Sequence, residues 1–114
     1  MFLIQKISAD PYQSQTLLLE DGSALPLVLY FRSLQYGWFI EELTYLDFTL
    51  RALRITNSPN MLQQWRNKLP FGLGCFSTAN REPSQQEDFS SGASKLYLLS
   101  AAEVAEYTRF LQGG

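Results

Sequence analysis

Few side chains in this 114-residue chain are of the types that catalyse reactions or bind metals. The chain contains no histidine, which removes the commonest general base and the commonest metal ligand. Cys75 is the single cysteine, so neither a Cys-x-x-Cys metal motif nor an internal disulfide can form. Because Cys75 lies in an apolar stretch, we expect a buried, unreactive thiol in a protein that folds in a reducing compartment.

Two pairs of acidic residues remain as catalytic candidates, since glycoside hydrolysis needs two carboxyl groups. Glu41 and Glu42 are adjacent in a predicted strand, so their side chains point to opposite faces. Glu87 and Asp88 lie in a polar predicted loop, and we interpret both pairs as solvated surface charge. Residues 71–74, Phe-Gly-Leu-Gly, lack the third glycine and the strand–turn–helix context of a dinucleotide site. These residues therefore predict a protein that is not an enzyme and that needs no cofactor or metal.

The composition indicates one soluble domain over residues 1–114. Hydrophobic residues make up 46% of the chain, enough for a core without disulfide or metal support. The net charge of −2 argues against nucleic-acid binding, which needs a basic excess. The apolar start, residues 1–7, predicts a strand because it lacks the basic flank and cleavage site of a signal peptide. No apolar run approaches the roughly 20 residues of a membrane span.

The first half of the chain predicts a meander of antiparallel strands joined by short turns. Asp21-Gly22 supplies the positive φ angles of a tight hairpin. The strands are expected at residues 2–7, 15–20, 25–32, 38–46 and 48–55. The side chains predicted to share a face are Leu25, Leu27, Leu29 and Phe31 in the third strand, and Phe48, Leu50 and Ala52 in the fifth.

Beyond residue 56 the hydrophobic period changes to that of a helix. Ser58 can cap this helix, Pro59 suits its first position, and Pro70 must end it. The apolar residues at helical spacing are Met61, Leu62 and Trp65. A strand is expected at residues 71–78, where two glycines predict a bulge or a close backbone approach.

Residues 79–94 are polar and predict a long surface loop, followed by a strand at 95–99. Ser100 then caps a C-terminal helix over residues 100–112, with Glu103 completing a capping box. The apolar stripe of this helix consists of Ala101, Val104, Tyr107 and Leu111. The predicted fold class is therefore mainly β: a small antiparallel β-sandwich or open β-barrel with a short inserted helix and a C-terminal α-helix.

The stretch 57–75 combines polar and aromatic side chains in a way that suits docking to another protein better than catalysis. Basic residues within 48–81 are Arg51, Arg54, Arg66, Lys68 and Arg81, and the window has no acidic residue. This segregation reflects either chance or a positive face for an acidic neighbour. Trp38 and Trp65 are expected in the core, although tryptophan also anchors interfaces. The residues predicted for an assembly surface are Asn60, Gln64, Trp65, Arg66, Asn67 and Lys68.

The same stretch carries a family resemblance. Residues 60–67, Asn-Met-Leu-Gln-Gln-Trp-Arg-Asn, and 69–75, Leu-Pro-Phe-Gly-Leu-Gly-Cys, resemble the small baseplate plug proteins of contractile-tailed bacteriophages. Residues 36–39, Tyr-Gly-Trp-Phe, support the resemblance. So does the segment 87–99, which contains Glu-Asp-Phe, Ser-Gly and Lys-Leu-Tyr-Leu-Leu. The match covers roughly residues 15–104 of the chain.

The resemblance implies a structural protein of the virion, located in the tail baseplate and made in the host cytoplasm. The family fold is a mostly β domain, present in several copies around the axis at the lower end of the tail tube. Its expected partners are other baseplate proteins, hub or spike proteins and tail-tube proteins. No cofactor is expected.

Two other functions fit the residues. A free-standing β-sandwich could bind a carbohydrate or a peptide through Trp65, Trp38 and Tyr36. The start Met-Phe-Leu-Ile-Gln-Lys and the end Leu-Gln-Gly-Gly also resemble a ubiquitin-like modifier. That fold has an early long helix, however, which the interior of this chain does not predict.

Overall fold

The computed structural model describes residues 2–19, 22–78 and 82–113 and consists of two antiparallel sheets and a C-terminal helix. The strands are β1 (Phe2–Leu3), β2 (Tyr12–Leu18), β3 (Ala24–Arg32), β4 (Gly37–Tyr45), β5 (Phe48–Arg54), β6 (Gly72–Ser77) and β7 (Ser94–Leu99). The helix α1 spans Ala101–Gly113. Over the described ranges the sheets do not close into a barrel, so the predicted mainly-β, sandwich-like fold is confirmed.

The larger sheet is the predicted meander, with strand order β2-β3-β4-β5. The β2–β3 hairpin pairs Tyr12 with Tyr30 at one end and Leu18 with Ala24 at the other. In its turn the φ angle of Gly22 is +87°, as the hairpin motif predicted. The other turn residue of that motif, Asp21, lies outside the described residues.

The core lies between the two sheets and follows the predicted alternation. Leu25, Leu27 and Leu29 are all buried on one face of β3. Leu73 and Leu96, from β6 and β7, are buried in the same hydrophobic cluster. Each such leucine contributes about 2 kcal/mol by leaving water, and these contributions together hold the two sheets face to face.

The smaller sheet has the order β1-β7-β6, and its first strand is much shorter than predicted. The prediction of a strand over residues 2–7 is wrong beyond Leu3. Ile4 still donates its backbone N–H to Leu96 O (2.8 Å). Lys6 has a φ angle of +64°, which is incompatible with an extended strand. The side chain of Ile7 is buried in the core after this bend.

One expected face is corrected by local backbone conformation. Ala52 has a φ angle of +54° and is exposed, whereas Leu50 is buried. The prediction that Phe48, Leu50 and Ala52 share a face is therefore wrong. On β3, Phe31 is only half-buried although it packs on the core, because it lies near the end of the strand.

The inserted helix predicted after residue 57 is only a 3-10 turn, Gln63–Trp65, flanked by irregular turns. The backbone groups that would start an α-helix have other partners. In a helix that begins at Ser58, Leu62 N–H would donate to Ser58 O. Ser58 O instead accepts the N–H of Cys75 (2.8 Å), and Leu62 N–H donates to the side-chain Oδ1 of Asn60 (3.0 Å). Side-chain and sheet hydrogen bonds thus replace the helical ladder at this point.

The predicted surface loop 79–94 is shorter and more deeply packed than expected, since Ser94 begins β7 and Phe89 is buried. Asp88 is buried as well, and its carboxylate accepts the backbone N–H groups of Ser84 and Gln85, both at 2.9 Å. The interpretation of Asp88 as a solvated charge is therefore wrong. It closes the turn that packs this loop on the sandwich.

The C-terminal helix begins with the predicted capping box. Ser100 N–H donates to Glu103 Oε1 (3.0 Å), and Glu103 N–H donates to Ser100 Oγ (3.2 Å). The predicted apolar stripe is only partly used, because Val104 is buried whereas Leu111 is 53% exposed. Ala101 is exposed and Tyr107 is half-buried. The helix therefore docks by its first turns and leaves its end in solvent.

Candidate assembly surface

The segment between β5 and β6 lies along the outer edge of β6. Ser58 and Cys75 exchange two backbone hydrogen bonds (3.0 and 2.8 Å), which form an isolated antiparallel bridge. Further along, Met61 N–H donates to Leu73 O. The two contacts fix this segment on the sheet edge, although Ser58 does not act as the predicted helix cap.

Asn60 is the centre of this segment. Its Oδ1 accepts the N–H groups of Leu62 (3.0 Å) and Leu73 (3.1 Å), and its Nδ2 donates to Gln63 Oε1 (2.9 Å). Asn60 is only 4% exposed. The structure therefore places this predicted surface residue in the interior, where its amide joins the segment to β6.

The two glycines of β6 allow this close approach, as their positions predicted. A Cβ atom on Gly74 would lie 2.5 Å from the carbonyl oxygen of Pro59, and one on Gly72 would lie 2.5 Å from Asn60 Oδ1. Real Cβ atoms are not found at such distances, and the carbonyl oxygen belongs to the backbone, which cannot easily move. Only glycine lets the segment lie this close to the strand.

A second chain of hydrogen bonds joins this segment to the C-terminal helix. Gln63 Nε2 donates to Thr108 Oγ1 (2.8 Å), and Thr108 Oγ1 donates to Val104 O (2.8 Å). Since Gln63 also accepts from Asn60, one glutamine connects β6, the turn and the helix. The turn is therefore held from both sides.

The surface of the turn consists of four exposed residues, Gln64, Arg66, Asn67 and Lys68. Leu62 and Leu69 are buried at its two ends. Trp65 lies between them, half-buried and packed on the core. Of the six residues predicted for the assembly surface, the structure leaves these four exposed, whereas Asn60 is buried and Trp65 is half-buried. We call Gln64, Arg66, Asn67 and Lys68 the polar turn.

The basic residues of window 48–81 have different environments. Arg51 Nη2 lies 3.7 Å from Glu42 Oε1. The guanidinium of Arg54 donates to the carbonyl oxygens of Gln35 and Tyr36. Arg66 and Lys68 are exposed on the polar turn, where Arg66 Nη1 donates to Gln63 O (3.1 Å). Arg81 lies outside the described residues. A positive face stays a prediction, carried by Arg66 and Lys68.

Of the side chains considered for catalysis, Glu41 and Glu42 have basic partners, Asp88 and Cys75 are buried, and Glu87 is exposed. Glu41 pairs with Arg32 on β3 (2.7 Å), whereas Glu42 lies near Arg51 on β5, so the two carboxylates lie apart as predicted. Burial raises the pKa of the Cys75 thiol to about 12, which keeps it protonated. The described residues hold no group of three or more potential metal ligands.

Trp38 belongs to the core, as the sequence predicted. Its side chain is fully buried and packs edge-on against the ring of Phe89, with the two ring centroids 5.7 Å apart. Its Nε1–H donates to Gln85 O (3.1 Å), in the loop closed by Asp88. Trp38 therefore holds the loop 82–93 on the larger sheet and is unavailable to a ligand.

Sequence reasoning missed an apolar groove of about 430 Å³ near the start of α1. Its lining includes Phe2, Leu18, Pro70 and Leu98. Phe2 and Leu18 are both large, exposed apolar side chains. The sequence held one indication of this groove. Leu17 and Leu18 are adjacent in a strand, so their side chains point to opposite faces and one leucine had to lie on the outer face.

Comparisons with protein-family models and with curated proteins give no match for this chain. Among the described helices, none is both long enough and apolar enough to cross a bilayer.

Proposed function

We propose that this protein is a structural component of a phage contractile-tail baseplate, a plug at the distal end of the tail tube. It acts by protein–protein assembly, not by catalysis. The support is the resemblance of residues 60–75 to the plug family, together with the form that this segment takes in the fold. Its location is the virion after synthesis in the host cytoplasm.

The observation that carries the proposal is the fixed backbone of the polar turn. Asn60 and Gln63 hold its base through hydrogen bonds to Leu73 and Thr108, while the side chains beyond them are exposed. A surface ordered before binding loses less entropy on assembly than a flexible loop does. This arrangement suits a permanent contact in a large assembly.

The expected partners are tail-tube, hub or spike, and other baseplate proteins, with several copies of this chain around the tail axis. Arg66 and Lys68 give the polar turn two positive charges, and residues 48–81 contain no acidic residue. An acidic surface on the neighbouring protein is therefore the matching partner.

Charge reversal tests this surface. The variant Arg66→Glu/Lys68→Glu should lower association with purified tail-tube and hub proteins by about tenfold or more, because two attractions become repulsions. Lys95→Glu is the matched control, since Lys95 is exposed on β7 away from the turn. Equal binding by both variants would contradict the role of the polar turn.

The location in the virion is tested separately. Cryo-electron microscopy of intact tails should show density for this chain at the tube tip, and antibody labelling should decorate the same end. Absence of the chain from purified virions would refute the baseplate proposal whatever the binding data show.

The alternative function, a carbohydrate- or peptide-binding module, has lost one of its three aromatic contacts. Trp38 is buried, while Tyr36 is exposed and Trp65 is half-buried. This alternative predicts a ligand-dependent change in Trp65 fluorescence across a glycan and peptide panel. The ubiquitin-like modifier alternative requires a long helix early in the chain. Among the described residues the α-helix is Ala101–Gly113, and it follows all of the strands.

A further inference from the structure

We propose that the open edge of β2 pairs with β2 of a second copy of this chain, joining two larger sheets into one across a two-fold axis. The proposal rests on the edge itself and is independent of the polar turn and of any baseplate role. β2 is the terminal strand of the larger sheet, and no described strand pairs with its outer side.

The hydrogen-bond pattern shows which groups of β2 are available. Phe31 donates its N–H to Pro11 O (2.6 Å), and Leu19 donates its N–H to Ser23 O (2.9 Å). Both pairs fit the β2–β3 register, so the odd-numbered residues of β2 bond to β3. The N–H and C=O groups of the even-numbered residues therefore point to the open edge. These residues are Tyr12, Ser14, Thr16 and Leu18.

The edge lacks the usual protection against pairing. Residues 12–18, Tyr-Gln-Ser-Gln-Thr-Leu-Leu, contain no charge and no proline. The opposite edge of the same sheet, β5, is protected by Arg51, Arg54 and the positive φ angle of Ala52. The contrast points to β2 as the edge that accepts a strand.

The edge is complementary to itself in one register. Two antiparallel β2 strands centred on Gln15 would pair Tyr12 with Leu18 of the second copy and Ser14 with Thr16 of the second copy. All of the edge-facing residues would then be in hydrogen-bonded pairs. Tyr12 is 60% exposed and Leu18 is 74% exposed, so the outer pairs would also cover apolar surface. Because the strand is uncharged, no like charges would meet.

The size of the contact predicts a reversible dimer. Two seven-residue strands cover less than the roughly 1,200 Å² of a standard interface. We therefore expect mainly monomer at about 1 μM and mainly dimer above about 100 μM. In sedimentation equilibrium the mass should rise from 13.0 kDa towards twice that value.

Disulfide cross-linking tests the register. In the proposed dimer the two Gln15 residues form a non-hydrogen-bonded pair with Cα atoms about 4.5 Å apart, within disulfide range. Gln15→Cys should therefore cross-link on mild oxidation. Ser14→Cys is the matched control, because its Cα atoms would be about 8 Å apart, beyond that range. The unsubstituted chain, whose Cys75 is buried, gives the background.

Removal of one edge N–H tests the pairing. Thr16→Pro removes a group that points away from β3, so the hairpin should fold and circular dichroism should be unchanged. This variant should stay monomeric at about 100 μM. The double variant Gln15→Cys/Thr16→Pro should lose the cross-link.

Three results would overturn the proposal. The first is a chain that stays monomeric at the highest concentration. The second is a dimer that Thr16→Pro leaves intact, which would place the contact elsewhere. The third is cross-linking of Ser14→Cys as fast as Gln15→Cys, which refutes this register without relying on the proline variant.

Discussion

Replacement of Asn60 by alanine gives the sharpest test of how the polar turn is held. The amide of Asn60 accepts from two backbone N–H groups and donates to Gln63, at distances of 2.9 to 3.1 Å. The variant Asn60→Ala removes all three hydrogen bonds. The N–H groups of Leu62 and Leu73 then lose their partners in the interior, where Asn60 is only 4% exposed.

The expected loss follows from these contacts. A buried N–H group left without a partner costs about 1–3 kcal/mol. Two such groups therefore predict a decrease of about 2–4 kcal/mol in the free energy of unfolding, allowing for some access of water. This is a large part of the stability of a domain of this size, about 5–15 kcal/mol.

Urea denaturation followed by circular dichroism measures the change. Asn67→Ala is the matched control, because Asn67 is exposed on the polar turn and its loss should cost less than about 0.5 kcal/mol. If Asn60→Ala is as stable as Asn67→Ala, the central role of Asn60 is refuted.

Three further predictions concern the core and the close approach of the chain. Gly74→Ala should lower stability by about 2 kcal/mol or more, because its Cβ would meet the carbonyl oxygen of Pro59 at 2.5 Å, and thermal denaturation will show the shift. Trp38→Phe should cost about 2–3 kcal/mol in urea denaturation, since it leaves a cavity and removes the donor to Gln85 O; a change below about 0.5 kcal/mol would contradict its place in the core. Cys75 should resist a thiol reagent at pH 8 in the folded protein and react in urea. Because its pKa is raised, its protonated form favours folding below about pH 9, and this contribution falls as the pH rises towards 12.

The meander shows how much of the fold follows from local pattern. Alternation in Leu25, Leu27 and Leu29 identified the buried face of β3, and the capping box identified the start of α1. Both signals reside in residues a few positions apart, so they need no knowledge of distant contacts. The prediction of a strand over residues 2–7 was wrong because Lys6 has a positive φ angle. A glycine would have signalled that conformation in the sequence, whereas a lysine does not.

The candidate site was predicted as a stretch of sequence but not as an arrangement. Asn60 and Asp88 were both expected on the surface because polar residues usually are. Both are buried, and each side chain accepts two backbone N–H groups. The donors to Asp88, on Ser84 and Gln85, lie in its own turn, whereas one donor to Asn60, on Leu73, lies in a strand that only folding brings near. No local pattern reveals such a partner.

Residue type and spacing alone were enough to predict the strand alternation, the glycines that permit a close approach and the unreactive environment of Cys75, and they fix the lack of charge along residues 12–18. Tertiary contacts, in contrast, place residues 58–61 along β6 in place of the first turn of an α-helix, and they make β2 an edge strand. Those outcomes depend on hydrogen bonds between distant residues, such as Asn60 and Leu73, whose geometry exists only after the sheets have packed.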